Sequence, residues 1–484
     1  MTPFRAWYAP PGFSVGPEEV AQGAVVLDGP GGVEGPGYEY AALPEPRLLE
    51  VMGILRRAWS AGIADIRLSR VVEAVDRVAG RLLEPGDRLR EEALLAVEAF
   101  SGFSPPMAEA VLDGMARSWM REGVWDLIRS EFPDPGVLDG FCPGPAGDET
   151  RAAGFPLTFH LGAGTVPGVA TTSLIRSLLV GSSVILKPGE GDIPLPVLFA
   201  QGLEEEDPEL AKRIAVFYWP VNESGRTETV LNAADLAVVY GGDETVRWVR
   251  ERLPPHVPLR AYRHRMGFGL VGRGALSSDD EGSAGGRSSA RAAALSVAIF
   301  DQRGCVSPHV FLVETGGEVT PEEWAVNLGT ALEEVERTLP SGSLTLEEGA
   351  AIQQLRGAAE LAESMGEGTV LHGGKDGSWT VRFVPGGTVA PSCLGRTVRV
   401  IPVQDMEESL ETLKAWMPYL QTVGMAGLDD RLPVLAEALA RMGVSRITPL
   451  VGMPWPRSWW HHDGSGPLRD LVRWTDVEGG GTVS

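Results

Sequence analysis

The spacing of apolar residues divides the chain into stretches with different predicted structure. Over residues 46–132 apolar side chains recur every three or four positions, as in REEALLAVEAF, which predicts amphipathic helices. From residue 155 onward, short apolar runs alternate with helical patterns, and residues 320–440 continue this alternation. Strands alternating with helices of about 10–15 residues predict βαβ units and a parallel sheet.

Segments rich in glycine, proline and polar residues separate these stretches. Residues 1–45 are expected to be irregular, and residues 133–154 are expected to form a loop in which a hairpin can occur. The sequence SSDDEGSAGGRSSA, residues 277–290, predicts a mobile loop, and the tail VEGGGTVS, residues 477–484, is expected to fray. None of these segments predicts a site by itself.

Charge and composition exclude several classes of protein. The 484 residues include 42 Lys or Arg and 65 Asp or Glu, a formal net charge of −23. This balance disfavours binding to nucleic acid or to anionic membranes, because phosphate groups are bound by clustered basic side chains. The start lacks the apolar core of a signal peptide, and no apolar stretch is long enough for a membrane span. We therefore expect a cytoplasmic chain.

Cysteine spacing gives no disulfide framework and no metal site. Cys142, Cys305 and Cys393 are widely separated and odd in number. Cys305 stands in DQRGCVSP, after a predicted helix and a glycine, where a thiolate can be exposed and its pKa lowered. The alternative for Cys305 is a buried structural cysteine. Cys142 and Cys393 lie in loops flanked by Pro or Gly, and a structural role is favoured for both.

A glycine-rich turn, HLGAGTVPG, follows a predicted strand and precedes a predicted helix. Gly162 and Gly164 would let backbone N–H groups approach a phosphate or an acyl oxygen. The spacing differs from the dinucleotide-binding GxGxxG pattern, and a simple tight turn is the alternative.

Two further strand ends predict a nucleotide site. Lys187 ends the predicted strand VILK, and a cation there suits a ribose or its 2′-phosphate, which makes NADPH a plausible cofactor. The alternative is a surface lysine. The turn YGGDET carries Gly241, Gly242 and Asp243 before a predicted helix, whose N-terminus could face a pyrophosphate. The alternative there is a simple capped helix with Asp243 as the N-cap residue.

These motifs, in this order, resemble the acyl-CoA reductase family typified by the reductase subunit of bacterial bioluminescence, within the aldehyde dehydrogenase superfamily. The C-terminal SRITPLVGMPWPRSWWHHDG supports the resemblance, which runs from about residue 150 to 478. It implies an α/β fold of the aldehyde dehydrogenase type. A nucleotide-binding domain with a parallel sheet would cover residues 1–275 and be joined by residues 431–484. A catalytic α/β domain would cover residues 290–430. A homo-oligomer is expected by the same analogy.

The resemblance also implies a reaction and the residues that carry it. The reaction is NADPH-dependent reduction of an acyl thioester, from acyl-CoA or an acyl-protein, to an aldehyde through an acyl group bound to Cys305. Thr165 stands where the family usually has an oxyanion-binding asparagine. His264 falls where a family histidine assists the nucleophile, and His309 is its rival.

Two other functions stay open from the sequence. The first is an NAD(P)-dependent aldehyde dehydrogenase acting oxidatively. The strand MGFGLV, residues 266–271, lacks the glutamate that activates water in hydrolytic members, which favours reduction. The second is a weakly active homologue that binds an acyl-transfer partner, such as an acyl-protein synthetase or a carrier protein, and the threonine at position 165 motivates it.

Overall fold

The computed structural model describes residues 3–26, 34–62, 66–144, 147–278, 286–374 and 377–478. The middle of the predicted mobile loop and the end of the predicted frayed tail lie outside these ranges. The α-helices of the described residues are Glu45–Gly62, Leu68–Leu83, Arg88–Ser101, Pro105–Ser118, Arg121–Glu131, Val169–Leu179, Pro194–Glu206, Pro208–Ala211, Ser224–Ala233, Asp243–Arg252, Gly286–Ala298, Pro321–Thr338, Leu346–Ser364, Met406–Ser409 and Leu432–Arg441.

A six-stranded sheet contains the strands predicted from the first set of apolar runs. All neighbours pair in parallel except the edge strand Trp7–Tyr8. In spatial order the strands are Leu259–Tyr262, Leu236–Tyr240, Leu157–Leu161, Ser183–Lys187, Ile214–Phe217 and Trp7–Tyr8. The central strands are buried along their whole length, which explains why they read as continuous apolar runs.

The direction of winding reverses within this sheet. From Leu157–Leu161 the chain moves to Ser183–Lys187 on one side, and it later returns to Leu236–Tyr240 on the other side. In open α/β sheets, ligands bind outside the carboxyl ends of the strands at such a switch point. The turns that begin at Gly162 and Gly241 follow the two strands that meet there.

A seven-stranded sheet contains the second set of strands. It is parallel except for the edge strand Val370–Gly373. Its spatial order is Val370–Gly373, Thr380–Phe383, Thr397–Val403, Pro308–Glu314, Met266–Val271, Leu420–Ala426 and Arg446–Pro449. Cys305 precedes the central strand of this sheet. The two large parallel sheets with their helices confirm the predicted α/β class.

Both ends of the chain form strands that the sequence pattern did not predict. Phe4–Arg5 and Val20–Val26 flank Glu34–Ala41 in a three-stranded sheet, whereas residues 1–45 were expected to be irregular. Their glycines and acidic residues hide the strand pattern, and pairing with neighbouring strands overrides the weak local preference.

The predicted hairpin within residues 133–154 is present. Cys142–Pro143 pairs antiparallel with Glu149–Gly154. The C-terminal strand Val472–Val477 pairs with the other edge of Glu149–Gly154, so the end of the chain packs against its first half.

No helix of the described residues has the length and apolarity needed to cross a bilayer.

Candidate active site

A cavity of about 760 Å³ lies beside Cys305. Its walls come from the helices Pro105–Ser118, Arg121–Glu131 and Val169–Leu179, and from the loop formed by residues 454–462. Large apolar side chains that line it include Met115, Trp119, Leu127, Leu179, Phe300 and Trp455. Small-molecule sites are typically mostly apolar clefts of about 300–1,000 Å³, and this cavity has both properties.

Cys305 lies in the turn between helix Gly286–Ala298 and strand Pro308–Glu314, with its side chain partly buried. Its Sγ lies 3.8 Å from Nε2 of His462. His462 belongs to the loop that leads from the seven-stranded sheet back to the first half of the chain. A cysteine within hydrogen-bond reach of an imidazole is the arrangement found in enzymes with a thiol nucleophile.

The imidazole of His462 lies between two aromatic rings. Its centroid is 4.6 Å from that of Tyr262 and 4.7 Å from that of Trp460, with interplanar angles of 28° and 24°. Tyr240 stacks on Tyr262 at 4.5 Å, and its ring centroid lies 6.1 Å from that of His462. The histidine side chain is only 13% exposed. Stacking and burial therefore hold the plane of the imidazole next to the thiol.

The thiol and the imidazole are both neutral near pH 7. Burial raises the pKa of the Cys305 thiol to about 12, and the charge of Asp463 adds to this rise. Burial lowers the pKa of His462 to about 4. Asp463 lies 4.0 Å from His462 Nε2 and pairs with Arg265 at 3.2 Å. The resting site therefore contains a protonated thiol beside a neutral imidazole.

The turn that leads to Cys305 has an unusual backbone. Phe300, Asp301 and Gln302 have φ values of 62°, 49° and 66°, in the left-handed region that side chains other than glycine rarely adopt. The Gln302 amide donates to the carbonyl oxygens of Pro308 and Thr397 at 2.8 and 2.9 Å, and its oxygen accepts from the Thr397 N–H at 2.9 Å. Such strain persists only where surrounding contacts determine the conformation, and it is typical of functional sites.

A buried ion pair holds the same turn. Nε and Nη2 of Arg396 donate to Oδ1 of Asp301 at 2.9 and 2.7 Å, and the two side chains are 1% and 3% exposed. The Gly342 N–H donates to Oδ2 of Asp301 at 3.1 Å. Contacts from segments distant in sequence therefore fix the turn that leads to Cys305.

The predicted turn around Gly162 and Gly164 packs against the loop after Lys187. A Cβ on Gly164 would lie 2.8 Å from the backbone nitrogen of Gly191. Because Gly164 has no side chain, this turn and the loop after Lys187 can approach each other closely. A phosphate contact from this turn stays a prediction. Thr165, two residues before Pro167, is exposed and lines the same cavity as Cys305.

The helix that follows this turn is capped from another loop. The backbone N–H groups of Gly168 and Ala170 donate to the carboxyl group of Asp192 at 3.0 and 3.2 Å. Burial raises the pKa of Asp192 to about 8, although these two hydrogen bonds oppose the rise. The first amides of helix Val169–Leu179 therefore already have an acceptor within the chain.

Lys187 is buried at the end of its strand, with 6% exposure, and not on the surface. Its Nζ lies 5.2 Å from the ring centroid of Tyr218 and 5.8 Å from that of Trp219. Within the described residues the ammonium has no hydrogen bond or ion pair. Burial lowers its pKa to about 8, and the charge of Glu190 opposes this shift. A buried cation without a hydrogen-bond acceptor can bind a hydroxyl or phosphate oxygen of a ligand.

The second predicted turn begins the helix Asp243–Arg252. Its N-cap residue is Gly242, and not Asp243 as the alternative of a simple capped helix required. The reason is that Asp243 already has helical geometry, and its exposed carboxyl group lies 3.9 Å from Arg263. Gly241 lines the cavity. The turn therefore connects the switch point of the six-stranded sheet to the cavity beside Cys305.

His264 is exposed at the edge of the cavity. A Cβ on Gly242 would lie 3.1 Å from its Nε2, so the imidazole rests against the predicted cofactor turn. Within the described residues no hydrogen bond joins it to Cys305, and its catalytic role stays a prediction. Its rival His309 is buried, and Nδ1 accepts the Ser392 N–H at 3.0 Å.

Sequence reasoning missed His462, which is the histidine next to the thiol. The motif SWWHHDG was recognised only as a family pattern. The sequence offers no signal that separates His462 from its neighbour His461, since both follow Trp459 and Trp460. The pairing with Cys305 spans 157 residues and depends on the tertiary fold.

A family model and a curated relative both identify acyl reductases as similar to this chain. The family model described as acyl-CoA reductase (LuxC) matches residues 63–474. The long-chain acyl-protein thioester reductase of Aliivibrio fischeri is 25% identical over 420 residues, which cover 86% of this chain and 83% of that protein.

Solved structures with a similar fold include two dehydrogenases. Methylmalonate-semialdehyde dehydrogenase from Oceanimonas doudoroffii superimposes with a TM-score of 0.72 at 12% identity, covering 99% of this chain and 98% of that one. NADP-dependent glyceraldehyde-3-phosphate dehydrogenase from Bacillus halodurans, complexed with NADP, gives 0.66 at 14% identity, covering 94% and 95%. These likenesses confirm the predicted aldehyde-dehydrogenase-like fold.

Proposed function

Because the chain belongs to the acyl-CoA reductase (LuxC) family, we propose that it reduces a long-chain acyl thioester to an aldehyde, with Cys305 as nucleophile and NADPH as electron donor. The donor would be an acyl-protein or acyl-CoA. The observation that carries this proposal is the position of the Cys305 thiol beside a large apolar cavity.

The cavity suits the acyl chain of such a substrate. Residues such as Met115, Leu127 and Phe300 offer apolar contacts, and burial of each methylene group contributes about 0.8 kcal/mol. Long chains would therefore bind better than short ones until the cavity is filled.

Acylation of Cys305 needs three actions from the chain. The thiol sulfur attacks the carbonyl carbon, and the carrier thiol leaves, so that one thioester replaces another. The developing oxyanion requires hydrogen-bond donors, for which we propose the backbone N–H of Cys305 and the hydroxyl of Thr165. A neighbouring base must accept the thiol proton. His264 is the residue that the family resemblance suggests for this role.

The nucleotide would bind at the switch point of the six-stranded sheet. Lys187 offers the ribose or its phosphate a buried ammonium that has no hydrogen bond or ion pair to any residue the structure describes. Gly241 and Gly242, at the N-terminus of helix Asp243–Arg252, would approach the pyrophosphate. Asp243, the first residue of that helix, is proposed at the same site. When bound there, NADPH would supply the hydride that converts the acyl group to the aldehyde.

The strand beside the nucleophile supports reduction over hydrolysis. Met266–Val271 carries no carboxylate, and a Cβ on Gly267 would lie 2.5 Å from the carbonyl oxygen of Val306. A longer side chain at that position would collide with the backbone near Cys305. The acyl-enzyme would therefore not meet a water-activating glutamate from this strand.

Turnover with defined substrates tests the proposal. Purified protein is mixed with NADPH and a series of acyl-CoA thioesters that runs from short to long acyl chains. The absorbance at 340 nm is followed and the aldehyde is trapped and identified. We expect aldehyde formation that requires the acyl thioester and disappears in Cys305→Ala. Oxidation of aldehydes without thioester reduction would instead establish an oxidative dehydrogenase.

A further inference from the structure

We propose that His462, and not His264, accepts the proton of the Cys305 thiol when the thioester is attacked. The inference rests on the proposed function for the identity of the substrate, but the proton acceptor can be tested without it. The C-terminal loop that contains His462 would then be part of the catalytic machinery, and not only a link between the two halves of the chain.

Distance is the first argument. His462 Nε2 lies 3.8 Å from the sulfur, within hydrogen-bond range for a thiol. His264 is exposed and lies against Gly242, without a hydrogen bond to the thiol within the described residues. His309 already accepts a backbone N–H through Nδ1. Of these three imidazoles, only that of His462 contacts the sulfur.

Orientation is the second argument. The rings of Tyr262 and Trp460 cover the two faces of the His462 imidazole. Movement of the ring out of its plane would disrupt both stacks, so Nε2 stays near the sulfur before the substrate binds. A base held in place in this way requires little reorganisation during proton transfer.

Charge is the third argument. The neutral imidazole has a free lone pair, as a proton acceptor requires. Asp463 Oδ1 lies 4.0 Å from Nε2, so its negative charge can stabilise the imidazolium that forms. Arg265 and Gln421 both bind Asp463 and hold it in position. Because the resting thiol is protonated, we expect proton transfer to accompany attack on the carbonyl and not to precede it.

In this step every bond that breaks is matched by a bond that forms. The S–H bond of Cys305 breaks, and its proton moves to Nε2 of His462 while the sulfur bonds to the carbonyl carbon. The bond between that carbon and the carrier sulfur then breaks, and the proton on Nε2 passes to the departing thiolate. The products are the acylated cysteine and the free carrier thiol, and His462 is neutral again.

Single-turnover acylation of three variants tests this role. H462F keeps a ring between Tyr262 and Trp460 but has no proton acceptor. H462A opens a space that free imidazole can enter. H461Q is the matched control, because His461 is exposed, is not among the cavity-lining residues and lies 3.6 Å from Glu131. The readouts are release of CoA from acyl-CoA without NADPH, and the rate at which iodoacetamide labels Cys305.

We expect H462F and H462A to acylate on the order of 10²-fold more slowly than the wild type, within the range typical of a general base. Added imidazole should restore much of the rate of H462A, whereas H461Q should stay within about twofold of the wild type, since surface changes have small effects. Wild-type acylation rates in both His462 variants would overturn the assignment, and a large loss in H264A alone would give the role to His264.

Two further readouts separate the possible failures. If the wild type is not acylated by any thioester, the proposed function is wrong, but iodoacetamide labelling still reports the effect of His462 on the thiol. If H462A is misfolded by circular dichroism, H462F and its labelling rate decide the question. Equal labelling of folded H462F and wild type would then contradict the inference.

Discussion

The substitution Asp301→Ala tests whether the strained turn before Cys305 depends on its buried ion pair. Asp301 has a φ of 49° and accepts two hydrogen bonds from Arg396 and one from Gly342. Alanine would remove all three acceptor contacts. It would also place at this φ a residue with less tolerance of the left-handed region than aspartate has.

The expected loss can be worked from these contacts. Removing one partner of a buried ion pair typically costs about 3–5 kcal/mol, because the other charge stays buried. Arg396 would keep Glu336 at 2.7 Å and the carbonyl oxygen of Leu339 at 2.9 Å. We therefore expect the lower end, about 3 kcal/mol, which is roughly a 150-fold change in the unfolding equilibrium.

Urea denaturation followed by tryptophan fluorescence measures this loss, and Asp301→Asn is the control. The asparagine oxygen can still accept from Arg396, and asparagine tolerates a positive φ, so its loss should be clearly smaller. Cys305 labelling should slow in the alanine variant, because a displaced nucleophile reacts poorly. A free energy of unfolding within about 1 kcal/mol of the wild type for Asp301→Ala would refute the structural role of the pair.

Three further predictions concern the cavity, the oxyanion and the cofactor. In Gly114→Ala the new Cβ would lie 2.2 Å from the Trp455 indole and push it toward the cavity. We therefore expect kcat/KM to fall about fourfold for each methylene group of the substrate that loses its place in the cavity. The assay compares acyl-CoA substrates of different length, and an unchanged chain-length profile would contradict this expectation. Thr165→Ala should lower kcat about 10²-fold with little change in KM, whereas Thr165→Ser should keep most activity. If Thr165→Ala and the wild type had equal rates in steady-state assays, Thr165 would not belong to the oxyanion site. Lys187→Ala should raise the KM for NADPH more than it lowers kcat. In the wild type, cofactor affinity should fall as the pH rises past about 8, because the ammonium loses its proton there, and titrations of Lys187→Ala should lack this dependence.

Much of the fold could be predicted because its signals are local. Strands such as Ser183–Lys187 are buried on both faces and therefore appear in the sequence as apolar runs followed by turns. Cys305 could be singled out as a candidate nucleophile, since it stands in a polar turn between a helix and a strand, and its role stays a prediction. The short N-terminal strands could not be predicted, because their pairing depends on distant partners such as Ile214–Phe217.

The candidate site could be predicted only in part, for a related reason. Lys187 was located at a strand end, but its burial against Tyr218 and Trp219 depends on side chains that follow the next strand. The contact between Cys305 and His462 joins segments that are close only in the folded chain. A sequence pattern cannot distinguish His462 from its neighbour His461, which is exposed and lies 3.6 Å from Glu131.

Trapping the acyl group on the enzyme tests the proposed role of Cys305 without relying on steady-state rates. The protein is incubated with acyl-CoA in the absence of NADPH, quenched in acid, digested and analysed by mass spectrometry. We predict one acyl group on the peptide that contains Cys305, and its conversion to the aldehyde when NADPH is added before the quench. An acyl group on Cys142 or Cys393 instead, or aldehyde formation by Cys305→Ala, would contradict the central claim.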